Sequence, residues 1–133
     1  MEGTGGRGGR RRSRRQRLSR SAEFDRVYRE GRSHANRYLV VYSFPREGEG
    51  EADPRLGVSV GRKVGGAVER NRVKRLLRDA FWAVSGDLPE GHDFVVVARP
   101  ESGELASREG EQGIERSLRE LLEKAGFARS EAA

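Results

Sequence analysis

Residues 67–84 carry the pattern that most restricts how this chain can fold. Val73, Leu76, Leu77, Ala80, Phe81 and Val84 fall at i, i+3, i+4, i+7, i+8 and i+11. That is an unbroken apolar stripe along one side of an α-helix. Asn71, Lys74, Arg75 and Arg78 fall broadly opposite it, with Arg72 on the flank. Arg70 lies nearer the stripe, but its place in the first turn lets it reach outward. Such a helix must bury its oily side and leave its cationic side to water or to a polyanion. Gly86 and Pro89 close it. Just upstream, Arg55 to Val60 alternates as a strand does, with Leu56, Val58 and Val60 directed at a core. Gly65-Gly66 makes the turn between the two. It lets backbone approach closely and leaves the helix N-terminal N–H groups free for a phosphate.

The remaining segments supply partners for that helix. Residues 19–30 read as a helix, with Ser19 or Ser21 as cap, Glu23 in the first turn and Gly31 as stop. Leu18, Phe24, Val27 and Tyr28 give it apolar surface. Residues 37–44 are β-branched and aromatic, as strands prefer. Tyr38, Val40, Tyr42 and Phe44 share one face there, with Leu39 and Val41 on the other. An acidic, glycine-containing loop over 46–54 follows. Residues 93–98 read as a buried strand, 99–112 as a polar linker, and 113–125 as a last helix. Ile114, Leu118, Leu121, Leu122 and Ala125 line that helix, and Gly126 stops it. The order of helix, two or more strands, helix, strand, helix implies one mixed α/β sandwich.

Charge placement narrows the function. The chain has 133 residues, 27 Lys+Arg against 21 Asp+Glu, and a net charge of +6. Residues 1–20 hold eight Arg and one Glu, and residues 62–78 hold seven cations against Glu69 alone. Two dense cationic zones thus stand on a balanced body, and such zones attract polyphosphate backbones through counterion release. The Arg/Gly-rich residues 1–16 have no apolar anchor after Met1 and are expected to be a disordered arm. Residues 17–127 are expected to form the domain and 128–133 a frayed tail. Cysteine is absent, and His34 and His92 stand far apart, so thiolate chemistry and a His-rich metal site are not expected. No stretch approaches the ~18 apolar residues of a spanning helix, and the N-terminus develops no apolar signal core. An exported or membrane-spanning protein is therefore not expected. Taken alone, the basic amphipathic helix suits RNA, DNA, a membrane surface or an acidic partner.

The string Arg70-Asn71-Arg72-Val73-Lys74-Arg75-Leu76-Leu77-Arg78-Asp79-Ala80-Phe81 resembles the RNR motif of the bacterial ribonuclease P protein family. Its lead-in, Gly61 to Val68, is similar too, with Gly66 where the family commonly has Asn. Arg17-Leu18 through Phe24, Val27 and Gly31 resembles the family's first helix. Ala35-Asn36-Arg37 and Asp93 to Arg99 also match, so the likeness runs in order over about residues 17–127.

The resemblance implies a single-domain α+β sandwich similar to domain 2 of ribosomal protein S5. It would have a central mixed sheet, about three helices and a left-handed βαβ crossover, against the general right-handed rule. It implies that Arg62, Lys63, Arg70, Asn71, Arg72, Lys74, Arg75 and Arg78 contact the catalytic RNA. It implies that Phe24, Tyr28 and Tyr42 line a cleft for the single-stranded 5′ leader of precursor tRNA. Stacking of unpaired bases on aromatic rings suits a leader of variable sequence. The protein would perform no bond cleavage. Mg2+ held mainly by the RNA would activate water, with one protein per RNA, in the cytoplasm. A protein-only nuclease would need clustered carboxylates or a His/Lys acid–base pair, and the spacing of Glu69 and Asp79 on one helix does not make them converge. A general RNA chaperone could share the fold. A helix-turn-helix reader would need a short helical turn where this chain has a strand.

Overall fold

The computed structural model describes residues 16–18, 20–46 and 53–128. The residue 1–15 arm, the Ser19 cap, the middle of the acidic loop and residues 129–133 lie outside the described residues. The elements run β1 (Gln16–Arg17), α1 (Ser21–Glu30), β2 (Arg32–Ala35), β3 (Leu39–Pro45), β4 (Arg55–Val60), a 3-10 turn (Arg62–Val64), α2 (Ala67–Val84), β5 (His92–Ala98) and α3 (Ser102–Ala125). The sheet order is β1-β4-β5-β3-β2. β4 is parallel to both β1 and β5, and β3 is antiparallel to both β5 and β2. The three helices and five-stranded mixed sheet make the single α+β domain that the resemblance implied, with β4–α2–β5 as its parallel crossover.

Alternation along the strands sorts the two faces. Leu39, Val41, Leu56, Val58, Phe94, Val96 and Ala98 bury against α2 and α3. The α2 stripe supplies Val73, Leu77, Ala80, Phe81 and Val84 to that core, with Leu76 partly buried beside it. On the opposite face Leu18, Val27 and Val95 form a smaller cluster, flanked by Phe24, Tyr42, Phe44 and Val97. The helix α1 covers that face only in part.

Several local expectations are corrected. The segment 99–112 is not a linker, because α3 begins at Ser102 and Ser102, Leu105 and Ala106 are buried. Its many polar and glycine residues hide a helix with only two apolar contacts to the core. Gly103 lets that first turn press on the 3-10 turn, since a Cβ there would meet the Val64 carbonyl oxygen at 2.5 Å. Gly110 (φ 63°, ψ −148°) breaks α3 into two segments. The first helix starts at Ser21 without a serine cap. Instead the Arg20 backbone N–H donates to the Glu23 carboxylate at 3.4 Å. The strand expected from 37 starts at Leu39, so Tyr38 packs on the main core and not with Val40, Tyr42 and Phe44. β2 forms a hairpin with β3 that periodicity did not reveal. Phe127 packs edge-on to Phe94, 5.1 Å between centroids, and Ala128 bridges to Ser85.

Asp93, at the start of the central strand β5, is fully buried and gathers three arginines. Arg55 grips it with two parallel bonds, Nε to Oδ1 at 2.8 Å and Nη2 to Oδ2 at 2.9 Å. Arg46, itself buried, donates to Oδ1 and also to the His92 and Asp53 carbonyls. Arg26 of α1 stands 3.8 Å away. Arg55 reaches on to Glu23 of α1 at 2.8 Å. The hydrogen bond to Asp93 is the main cause holding the Arg55 pKa above its usual value. Removing one partner of such a buried set leaves the others uncompensated. Asp93→Ala is expected to destabilise the fold by about 3–5 kcal/mol in denaturant titration.

Candidate nucleic-acid interface

The α2 stripe fixes the helix against the sheet, and that orientation alone turns its other side outward. Arg62, Lys63, Asn71, Arg72 and Arg75 are exposed, while Arg70, Lys74 and Arg78 are half-buried. All eight residues expected on the cationic surface therefore lie on one continuous stretch of 3-10 turn and helix. Arg70 Nη1 folds back to the Gly65 carbonyl at 3.3 Å, and Arg72 Nη2 approaches the Ala106 carbonyl at 3.4 Å. Among the described residues none of the seven cations forms an ion pair. Arginines elsewhere do: Arg108 lies 3.9 Å from Glu104 and 3.4 Å from Glu109, and Arg116 pairs with Glu109. Burial, with Arg17 as a second and like charge, pushes the Arg78 pKa below its usual value, and its buried Nε has no hydrogen-bond partner. Unpaired guanidinium forks of this kind match phosphate oxygens.

Beside this surface the three aromatics expected in the cleft do come together. Phe24 and Tyr28 are edge-on at 6.2 Å between centroids, and Tyr28 and Tyr42 at 5.0 Å. Tyr28 is 38% exposed, one of the few large apolar side chains at the surface. Burial raises the pKa of its phenol, with Ser59 hydrogen bonding opposing. A groove of about 360 Å³ runs along Phe24 between α1, β4 and α2, lined also by Ser21, Asp25, Val58, Ser59 and Lys74. Lys74 thus belongs to the groove as well as to the cationic face, which links the two.

Sequence reasoning missed what seats the Phe24 ring. Gly57 lies within β4, and a Cβ there would stand 2.5 Å from Phe24 Cζ. The glycine lets the ring approach the strand closely. A glycine inside a strand pattern is the signal that marked it. At Gly66 a Cβ meets nothing within 4 Å, so the Asn common in the family would fit there. Among the described residues no three His, Asp or Glu side chains converge on a point, and Asp93 is taken up by arginines. The described residues thus do not form a cage for the expected magnesium. No helix among them is long and apolar enough to cross a membrane.

The Ribonuclease P family model matches residues 13–126. The chain is 42% identical over 110 residues to the ribonuclease P protein component of Shouchella clausii, covering 83% of this chain and 85% of that protein. It is 40% identical over 111 residues to the component of Clostridium acetobutylicum, covering 84% and 89%. The solved RNase P protein of Staphylococcus aureus superposes with a TM-score of 0.71 at 31% identity, over 86% of this chain and 98% of that one. That of Thermotoga maritima gives 0.69 at 34% identity, over 83% and 97%. Motif order, fold and coverage agree, and the chain belongs to the bacterial ribonuclease P protein family.

Proposed function

We propose that this chain binds the catalytic RNA of ribonuclease P through the α2 face and holds the 5′ leader of precursor tRNA in the Phe24–Tyr28–Tyr42 groove. The observation that carries this reading is the contrast within one surface. Seven cations of residues 62–78 have no carboxylate partner among the described residues, and Lys74 joins them to a groove lined by Phe24, whose ring meets Tyr28 and, through it, Tyr42. Phosphates would neutralise the first, and unpaired bases would stack in the second. The RNA would carry out phosphodiester hydrolysis, with Mg2+ held mainly by the RNA. The protein would grip the leader and offset repulsion between two RNAs, one protein per catalytic RNA, in the cytoplasm.

Precursor-tRNA cleavage at low magnesium tests this directly. Cleavage is expected only when protein and a bacterial ribonuclease P RNA are combined. No stimulation of an RNA that is active at high magnesium would instead favour a general RNA binder. Arg70→Ala, Arg72→Ala and Arg75→Ala together are expected to weaken catalytic-RNA binding. The slope of log affinity against log salt should become shallower by about two to three; an unchanged slope would place the RNA elsewhere.

The groove is tested separately. Phe24→Ala with Tyr28→Ala is expected to reduce the preference for precursor over mature tRNA, measured as the ratio of the two Kd values with the assembled enzyme. Gly57→Ala, which crowds the Phe24 ring, should shift that ratio in the same direction while leaving catalytic-RNA affinity intact. A ratio unchanged in both folded variants would move the leader to another surface.

A further inference from the structure

The end of the sheet next to the α2 N-terminus carries charge that the α2 face does not account for. β4 and β5 finish there together, with Val60 opposite Ala98, and β3 starts there, with Leu39 opposite Ala98. The 3-10 turn with Arg62 and Lys63 follows β4, Arg99 follows β5, and Arg37 precedes β3. All four side chains are exposed, and none forms an ion pair among the described residues. Two are held in place. Arg99 Nη1 donates to the Asn36 carbonyl at 2.8 Å, and Arg37 lies over the Tyr38 ring at 5.6 Å.

The loop that carries Arg37 is itself anchored. Asn36 Nδ2 donates to the Ser117 carbonyl at 3.0 Å and the Ser117 hydroxyl at 3.1 Å. Its Oδ1 accepts from the Tyr38 and Leu39 backbone N–H groups, each at 2.9 Å. A fixed loop with an unneutralised arginine costs little further ordering on binding. Close by, Val68 in the first turn of α2 is 83% exposed, the most exposed large apolar side chain described. Glu69, Glu101, Glu104 and Glu120 are the acidic groups at this end, and Glu120 accepts from Asn36 Nδ2 at 3.2 Å and lies 3.7 Å from Lys124. Glu104 is engaged with Arg108, and Glu69 lies back over Gly65.

We infer that the RNA-contacting surface continues from the α2 N-terminus across the end of the sheet, and that Arg37 and Arg99 hold the phosphate backbone of the catalytic RNA there, with Val68 covered by a ribose or base. This rests on the α2 reading above and extends it to residues outside residues 62–78. Both arginines present forks to a backbone that passes Arg62 and Lys63, so the two zones would act as one track and not as separate sites.

The test uses the full chain and a ribonuclease P RNA, with Kd measured across a potassium chloride series. Arg37→Ala with Arg99→Ala is expected to weaken binding and to make the salt slope shallower by about one to two. Arg37→Lys with Arg99→Lys keeps the charge and is expected to restore most of the slope. If the alanine pair keeps the wild-type slope while the Arg70, Arg72 and Arg75 variant flattens it, the extension is wrong and the α2 reading stands. If neither set changes the slope, both are wrong. Failure of the lysine pair to restore the slope would show that the loss came through the Asn36 loop and not through charge, which also overturns the inference.

Discussion

The buried carboxylate of Asp93 is the point on which the rest of this architecture depends. It sits at the start of the central strand and draws guanidinium groups from α1, from β4 and from the residue after β3. Each of those elements contributes to the aromatic groove or to its walls. A carboxylate in such a place would be costly alone, and three arginines with further carbonyl acceptors offset that cost. The arrangement pins α1 to one end of the sheet through Glu23 and Arg55, while the adjacent Phe24 lines the groove and Tyr28, one turn beyond Phe24, packs on its ring.

The chain divides its many arginines into two populations by what surrounds them. Those around Asp93 and along α3 meet carboxylates and serve the fold. Those on α2 meet none among the described residues. Apolar packing of Val73, Leu77 and Phe81 orients that helix, Arg70 and Arg72 add bonds to the Gly65 and Ala106 carbonyls, and its cations stay clear of carboxylates among the described residues. This separation explains how a basic protein of modest size keeps a stable core without neutralising its functional surface.

Much of this was readable in advance, for identifiable reasons. The α2 boundaries and its two faces follow from spacing alone, because a stripe of six apolar residues admits one helical solution. The grouping of Phe24, Tyr28 and Tyr42 came from resemblance, and the structure brings their rings together. What stayed hidden depended on long-range contacts. The start of α3 reads as linker because its only large anchor, Leu105, finds its burial from elements far away in sequence. Asp93 reads as an ordinary strand-edge acid until Arg46 and Arg55, more than thirty residues away, converge on it. Gly57 reads as a weak spot in a strand until a ring from α1 is placed above it.

The two ends of the strand order carry a consequence for self-association. β1 contributes two residues and β2 four, and most of the side chains on these outer strands are exposed and polar. Among the described residues, a neighbouring molecule seeking to extend the sheet would find a short ladder on either side, flanked by arginine. Short outer strands of this kind discourage edge-to-edge pairing between copies. The short outer strands thus favour separate copies, each with its cationic helix and groove uncovered.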